Sequence, residues 1–142
     1  MAPSFKESIE YVIAVAQETF DNVLILRREA RESLAILEIN ASYGPYKIYL
    51  REIWRADNSR KYAYYVVLEN RVIVGFDNAS DPRALQIQYG KAYTRHRLEL
   101  IPHRHNQNKQ EVALTSEMDC DTFVGWIKEN LLTGQEPATC SL

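Results

Sequence analysis

The first hydrophobic positions of the chain follow the period of an amphipathic helix. Ser4 followed by Glu7 fits a capping box, in which each side chain satisfies a free backbone amide at the start of a helix. The apolar residues behind this box fall on one helical stripe: Phe5, Ile9, Val12, Ile13, Ala16 and Phe20. The pattern predicts a helix over about residues 4–20.

After this helix the spacing of apolar residues shortens to that of strands. Segments 23–28 and 34–40 are short apolar runs on either side of a polar turn, and they predict two strands. The composition of 27–38 leaves a helix open as an alternative, because Glu, Ala, Leu and Arg all favour one. Two strands are the preferred interpretation.

Further strands follow at regular spacing. The break at 43–46 contains Gly and Pro, and apolar and polar residues then alternate up to Arg55, which predicts a half-buried strand. Strands are also predicted at 62–68 and 72–76, with Asn70 in the tight connection between them. These spacings predict sequential antiparallel strands.

The second half of the chain is predicted to contain a long loop, a strand and a helix. Residues 77–94 have no clear period and include several turn formers, which indicates a functional or mobile loop. Alternation returns at 97–101 and predicts a strand that ends at Pro102. Asp119 or Asp121 is predicted to cap a last helix. The apolar face of this helix consists of Phe123, Val124, Ile127 and Leu131.

These elements predict an α+β fold in a single domain, residues 1–132. Its parts are an N-terminal amphipathic helix, an antiparallel meander sheet of five to six strands and a C-terminal helix packed on the sheet. A chain with 46% hydrophobic and 25% charged residues has the composition of one globular domain. The tail, residues 133–142, is predicted to be disordered.

Composition also sets expectations about compartment and cofactors. The uncharged stretches are shorter than the roughly 18 apolar residues that span a bilayer, and the beginning of the chain has no apolar run typical of a secretory signal. A cytoplasmic protein without a membrane partner is therefore expected. Cys120 and Cys140 form neither a metal-binding spacing nor a disulfide framework, and no cofactor is predicted.

The charged residues are segregated along the chain. Residues 82–110 hold six cationic side chains against Glu99 alone, a balance of +5, and the remainder holds eleven cationic and eighteen acidic side chains, a balance of −7. A basic segment in an acidic body creates a local positive potential that attracts phosphate backbones. The alternative is a solvated loop that carries its basic residues by chance. The six cations are Arg83, Lys91, Arg95, Arg97, Arg104 and Lys109.

All three histidines of the chain lie in this basic segment, between residues 95 and 105. Proline favours an extended predecessor, and residues two apart in an extended segment point to the same side, so His103 and His105 can face a common point with Arg104 opposite. Two imidazoles can serve as base and acid, the combination that cleaves RNA through its own 2′-hydroxyl. A His-x-His is also common as a surface or structural feature. The neighbouring cations would bind the scissile phosphate: Lys91, Arg95, Arg97 and Arg104.

Two carboxylates and two tyrosines are candidates to assist. Asp77 follows an apolar strand and can orient a histidine, although an Asp-Asn pair is equally good turn chemistry. Glu52 points inward in the register that buries its apolar neighbours, so a cationic partner is predicted beside it. Tyr62 and Tyr64 project to one strand face, where a phenol can stack on a base or donate a hydrogen bond.

Metal ligation is an alternative use of the same histidines. His103 and His105 can join Asp77 or Glu52 around a divalent ion, as imidazole and carboxylate sites do. The arginines around the pair argue against this interpretation, because they raise the local potential where a cation would have to bind. Metal catalysis is therefore the weaker hypothesis at this point.

Several of these residues also carry a resemblance to a known family. A Glu-bearing strand, a Tyr-x-Tyr strand, an Asp77-Asn78-Ala79 step and the motif Pro102-His103-Arg104-His105 follow one another over about residues 47–130. This succession resembles the TumE-like family, the proposed toxin components of prokaryotic toxin–antitoxin pairs. That family typically continues Asp-Asn-Ala with Pro-His-His, whereas this chain has Ser80-Asp81-Pro82, so a role for that pair would need His96 to take its place.

The resemblance and the residue chemistry together predict a toxin that acts on RNA. The hypothesis is a metal-independent ribonuclease or other RNA-directed enzyme, in which Asp77 and Glu52 orient groups or balance charge around the histidines. RNA, a cognate antitoxin and a second copy of the chain are the candidate partners. The alternative is a non-catalytic module whose basic segment, with Tyr89 and Tyr93, binds nucleic acid or docks an acidic partner such as an antitoxin tail.

Overall fold

The computed structural model describes residues 3–131, so the predicted disordered tail lies outside the described residues. The strands are β1 (Asp21–Ala30), β2 (Leu34–Tyr43), β3 (Tyr46–Arg55), β4 (Arg60–Leu68), β5 (Arg71–Asp77), β6 (His103–Asn106) and β7 (Glu111–Leu114). The helices are α1 (Phe5–Thr19), α2 (Pro82–Tyr89) and α3 (Cys120–Asn130), with 3₁₀ turns at Gly90–His96 and Gln107–Lys109. The predicted α+β class is confirmed.

The strands form one antiparallel meander, in which each strand pairs with the next one in the chain. The sheet has seven strands rather than the predicted five to six, because β6 and β7 are four-residue strands that leave little periodic signal. Residues 27–30 belong to β1 and 34–38 to β2, with a turn at 31–33, so the helical alternative for 27–38 is wrong.

The strand register divides the side chains between two faces of the sheet. On one face, which we call the helix face, Leu50 is paired with Tyr64 and Tyr64 with Phe76. On the other, which we call the histidine face, Ala63 pairs with Asp77 and Asp77 with His103. Because side chains alternate along each strand, this register decides which functional groups can meet.

The main core lies between the helix face and the two terminal helices. The predicted capping box at the start of α1 is present, and the predicted stripe of α1 is buried on the sheet. Asp119 rather than Asp121 caps α3, and its side chain accepts hydrogen bonds from the Thr122 backbone amide and hydroxyl. The ring of Phe123 in α3 stacks on Tyr64 at 5.1 Å between centroids. This packing confirms a C-terminal helix on the sheet.

The segment between β5 and β6 differs from the prediction. Residues 77–94 include α2 rather than a loop without regular structure, and this helix starts with Asp81 as its N-cap and Pro82 in its first turn. Residues 97–101 form no strand, and Leu98 is 90% exposed. The alternation of apolar and polar residues predicted a strand there, but a strand also needs a neighbouring strand to pair with. The segment that pairs with β5 is β6, which begins at His103.

A second, smaller core lies on the histidine face under α2. Ala84 and Leu85 of α2 are buried together with Ile101, and partly buried side chains of β7 pack against them. Val112 and Leu114 share this face with the histidines, because they pair with His105 and His103. No helix within residues 3–131 has the length and apolar composition to cross a bilayer.

Candidate functional site

The register of β5 and β6 brings one carboxylate and two imidazoles together. Asp77 lies opposite His103 and Gly75 opposite His105, so all three functional side chains project from the histidine face. The Nε2 atoms of His103 and His105 are 3.1 Å apart. The Asp77 oxygens lie 3.1 Å from Nε2 of His103 and 3.2 Å from Nε2 of His105. We call these three residues the Asp–His–His cluster.

The cluster is buried rather than open to solvent. His103 is 1% exposed, His105 5% and Asp77 6%. His103 and His105 do face a common point, as their spacing in an extended segment predicts. The groups that meet there are a carboxylate and two rings, without the predicted arginines. Buried polar groups of this kind need partners, so the contacts around the cluster determine what it can do.

The backbone fixes the orientation of the His103 ring. Its Nδ1–H donates to the Ile101 carbonyl oxygen at 2.6 Å, which turns Nε2 towards Asp77. Burial by itself lowers the pKa of His103, but the Asp77 carboxylate and the Ile101 carbonyl favour the charged ring and raise the pKa overall. His103 is therefore fixed with its Nε2 atom beside the Asp77 carboxylate.

Asp77 is held by several donors at once. Its carboxylate accepts a hydrogen bond from the Tyr65 hydroxyl at 2.7 Å and from the Ala79 backbone amide at 3.0 Å. Burial raises its pKa, but the hydrogen bonds from His103 and Tyr65 outweigh burial and lower the pKa to about 2. The two roles considered for Asp77 coexist, since one carboxylate both orients a histidine and closes the turn after β5.

The ring of His105 has a free nitrogen. Its Nδ1 is buried without a hydrogen-bond partner within residues 3–131, while Nε2 faces the cluster. Burial lowers the pKa of His105, and the neighbouring His103 lowers it further against the opposing effect of Asp77. The two imidazoles therefore differ in character although they are two residues apart.

Tyr65 and Gly75 form the floor beside the cluster, and sequence reasoning missed both. A Cβ atom on Gly75 would lie 2.1 Å from Cε1 of Tyr65, so only glycine lets this ring lie flat over β5 and reach Asp77. A glycine inside an apolar strand is the signal that could have indicated a close approach. The tyrosine that serves the site is thus Tyr65, one position from the predicted Tyr64.

A hollow of about 200 Å³ opens beside the cluster on the histidine face. Its charged and polar lining includes Arg51 from β3, Lys61 and Tyr65 from β4, and Asp77. The Arg51 Nε atom is buried without a hydrogen-bond partner in the described part of the chain. These cations come from the middle strands and not from the basic segment. Their alternation with buried apolar residues of β3 and β4 was the available signal.

Two predicted catalytic residues, Glu52 and Tyr64, lie on the opposite face. The Arg60 guanidinium donates to Glu52 at 2.8 Å and to the Tyr64 hydroxyl at 3.0 Å. Tyr64 is fully buried under Phe123, so it cannot stack on a base. The inward Glu52 carboxylate does have the cationic neighbour that its burial predicts, but this Glu52–Arg60–Tyr64 network belongs to the core between sheet and helices.

The predicted phosphate-binding Arg104 is also on the helix face. Its guanidinium lies over the rings of Phe76 and Trp126, at 5.5 Å and 5.4 Å from their centres. Its Nε donates to the Asn106 side chain at 2.9 Å. The same alternation that brings His103 and His105 together points Arg104 away from them, so the structure does not place this arginine in their site.

The remaining candidates lie in the 3₁₀ turn after α2 and just behind it. Lys91, Arg95 and Arg97 are exposed. His96 stacks on Tyr89 at 3.6 Å between ring centres and pairs with Glu99, so its observed partners are not the other histidines. His96 therefore does not take the place of the missing histidine pair.

Asp81 takes a position beside the cluster instead. It lies in the tripeptide Ser80-Asp81-Pro82, directly before α2. One of its oxygens accepts from the backbone amides at the start of α2, and the other lies 3.9 Å from Nε2 of His103. A second carboxylate thus stands at the edge of the cluster.

The cluster offers the donor set of a cation site. Asp77, His103 and His105 each contribute one ligand atom, and these atoms lie within 4.8 Å of one another. Glu52, the other carboxylate considered for a metal, is excluded by its position on the helix face. No protein-family model, curated protein or solved structure matches this chain.

Proposed function

We propose that this protein is the toxin component of a prokaryotic toxin–antitoxin pair and that it cleaves RNA in the cytoplasm at the Asp–His–His cluster. One observation carries the proposal. The motifs Asp77-Asn78-Ala79 and Pro102-His103-Arg104-His105, which underlie the resemblance to TumE-like proteins, are distant in the chain but meet across β5 and β6. Residues brought together in this way can act on one bond.

The hollow beside the cluster suits a phosphodiester. Arg51 and Lys61 line it together with Asp77, so a phosphate bound there would lie next to the cluster. A guanidinium and an ammonium can hold the ground-state anion and stabilise the additional negative charge of the transition state. The Lys109 ammonium lies 4.6 Å from the centre of the Tyr65 ring and adds a cation near the same floor.

The distance between the rings changes the predicted division of acid and base. In an in-line displacement the entering and leaving oxygens lie on opposite sides of phosphorus, but the two Nε2 atoms are only 3.1 Å apart. The three groups of the cluster therefore act together on the entering oxygen and do not reach the leaving oxygen. The cluster takes the proton of the 2′-hydroxyl, the 2′-oxygen bonds to phosphorus, and the bond to the 5′-oxygen breaks, leaving a 2′,3′-cyclic phosphate. The 5′-oxygen takes its proton from another group, and Lys61, which lines the hollow, is the candidate donor.

The exposed basic turn supplies a surface for partners. Lys91, Arg95 and Arg97 are exposed on one short segment, which fits electrostatic attraction of an RNA backbone. An acidic antitoxin segment would compete for the same cations and so block the substrate. This arrangement accounts for the basic segment without requiring its arginines to touch the reacting phosphate.

Induced expression in a bacterial host tests the proposal. The wild-type chain is expected to arrest growth and to produce RNA ends with cyclic phosphates, which sequencing of RNA ends detects. His103→Gln is expected to abolish both effects, whereas Arg104→Gln, in the same motif but on the helix face, is expected to leave them unchanged.

Folding of each variant is checked by circular dichroism. If His103→Gln does not fold, Arg51→Gln provides the second test, because it alters the hollow and leaves the cluster in place. Growth arrest by folded His103→Gln at the wild-type level, or arrest without any new RNA ends, would contradict the proposal.

A further inference from the structure

We infer that the Asp–His–His cluster binds one divalent transition-metal ion, with Nε2 of His103, Nε2 of His105 and the Asp77 carboxylate as its ligands. The inference deepens the proposed function and rests on it for the role of the ion: a bound ion would replace the imidazole base by polarising the 2′-hydroxyl. Binding itself can be measured without RNA, so the two proposals can fail separately.

The distances fit a common ion. Imidazole nitrogens and carboxylate oxygens bind Zn²⁺ at about 2.0–2.2 Å, so two adjacent ligands of one ion are separated by about 3 Å. The two Nε2 atoms are 3.1 Å apart, and each lies 3.1 or 3.2 Å from an Asp77 oxygen. The side chains therefore already have the spacing that coordination requires.

The surrounding hydrogen bonds orient the ligands. Nδ1–H of His103 is held by the Ile101 carbonyl, which leaves Nε2 as the atom that faces the cluster. Asp77 in turn accepts hydrogen bonds from Tyr65 and Ala79. Histidine ligands that donate their other N–H to a carbonyl, and carboxylate ligands that are themselves hydrogen-bonded, are the usual outer partners of a metal site.

The donor atoms are turned towards one another in a buried place. Two imidazole nitrogens at hydrogen-bond distance can share only one proton, and both also face a carboxylate. The Nδ1 atom of His105 has no partner within residues 3–131, so no described contact fixes a tautomer that would place a proton on its Nε2. A cation at the common point satisfies all three groups at once.

The objection that Arg95, Arg97 and Arg104 would repel a metal ion is weaker in the structure than in the sequence. Arg104 points to the helix face, and Arg95 and Arg97 are exposed beyond α2. Asp81 lies 3.9 Å from His103 and adds a second carboxylate, which also pairs with Arg83 at 3.5 Å. The Asp77 carboxylate offsets part of the charge of a divalent ion, and the three-ligand set leaves coordination positions for a phosphate oxygen or water.

Titration of the purified, untagged full chain tests the inference. After chelator treatment, isothermal titration with Zn²⁺ is expected to show one ion per chain, and Co²⁺ is expected to give the visible absorption of a site with nitrogen ligands. His103→Gln is expected to weaken Zn²⁺ binding more than 100-fold. Tyr65→Phe, which removes an outer hydrogen bond, is expected to weaken it by about 10–100-fold. Arg104→Gln serves as the matched control and is expected to bind like the wild type.

The outcomes separate metal binding from catalysis. A wild-type chain that binds neither ion, or a folded His103→Gln variant that binds as tightly as the wild type, overturns the inference, and the wild-type titration decides even if the variant does not fold. A wild-type chain that binds neither ion in the titration but still cleaves RNA overturns the metal site and leaves the proposed function standing. Stoichiometric binding without RNA cleavage or growth arrest supports the metal site and removes the proposed function.

Discussion

The sheet holds a buried carboxylate on each face, and the two are satisfied in different ways. On the helix face, Glu52 pairs with the Arg60 guanidinium at 2.8 Å. On the histidine face, Asp77 lies against two imidazoles, His103 and His105. Glu52 lines a hollow of about 440 Å³ between the sheet, α1 and α3, whereas Asp77 lines one of about 200 Å³ beside Arg51 and Lys61.

The difference indicates which buried charge is structural and which is available for chemistry. Arg60 brings a permanent positive charge and several donors, so the Glu52–Arg60–Tyr64 network has its counter-charge built in. Burial raises the pKa of Glu52, and the guanidinium opposes this effect. The Asp–His–His cluster instead consists of groups that exchange protons or bind cations. Asp77 can therefore take part in a reaction, while Glu52 stabilises packing.

The largest effect is expected from removing the charge of Asp77. Asp77→Asn keeps the shape of the side chain but removes the negative charge that both histidines face, so RNA cleavage is expected to fall by about 10²–10⁴-fold. Single-turnover cleavage of a model RNA measures this loss. Glu52→Gln on the helix face is the matched control. Cleavage by Asp77→Asn within a few-fold of wild type would show that the carboxylate takes no part in the reaction.

Breaking the ion pair on the helix face is expected to act on stability. Arg60→Met leaves Glu52 buried without its counter-charge, so the free energy of unfolding is expected to fall by about 3–5 kcal/mol. Urea denaturation followed by circular dichroism measures it. Adding Glu52→Gln to this variant is expected to restore part of the loss, because no charge then remains buried. A double variant less stable than Arg60→Met would contradict this account.

Adding a methyl group at Gly75, beside Tyr65 on the histidine face, is expected to lower both stability and RNA cleavage moderately. In Gly75→Ala the new Cβ overlaps the Tyr65 ring, so unfolding is expected to become easier by about 1–3 kcal/mol, and the contact of Tyr65 with Asp77 is lost. Combining it with Tyr65→Ala relieves the overlap. The double variant is expected to regain stability in urea without regaining RNA cleavage. Full activity in Gly75→Ala would mean that Tyr65 does not position Asp77.

The smallest effect is expected at Arg104, between the two histidines. Arg104→Gln removes a guanidinium from the rings of Phe76 and Trp126, which is worth about 0.5–1 kcal/mol at a partly exposed position. Urea denaturation measures this change, and cleavage kinetics are expected to stay at the wild-type level. A loss of cleavage comparable to that of Asp77→Asn would return Arg104 to the phosphate site that its sequence position predicted.

Local chemistry made parts of the fold predictable. The capping box of Ser4 and Glu7, the apolar stripe of α1 and the Asp119 cap of α3 depend only on residues within one or two turns. The helix α2 was missed although its cap, Asp81, and Pro82 are equally local, because the surrounding turn formers hid them. The strand predicted at 97–101 is wrong because it depends on a distant contact: the alternation of apolar and polar residues does not show whether a partner strand is available.

Only part of the candidate site, the histidine pair, could be predicted from local sequence patterns. The spacing of His103 and His105 already determined that they share one side of an extended segment, and their meeting follows from it. The sequence by itself thus determined α1, α3, the strands β1 to β5 and which residues of one strand share a face. Only the tertiary structure decided that Asp77 joins the histidines while Glu52, Tyr64 and Arg104 lie on the other side. The reason is that the side-chain period of two fixes faces within a strand, whereas the relation between strands depends on register, and a shift of one residue would exchange the faces.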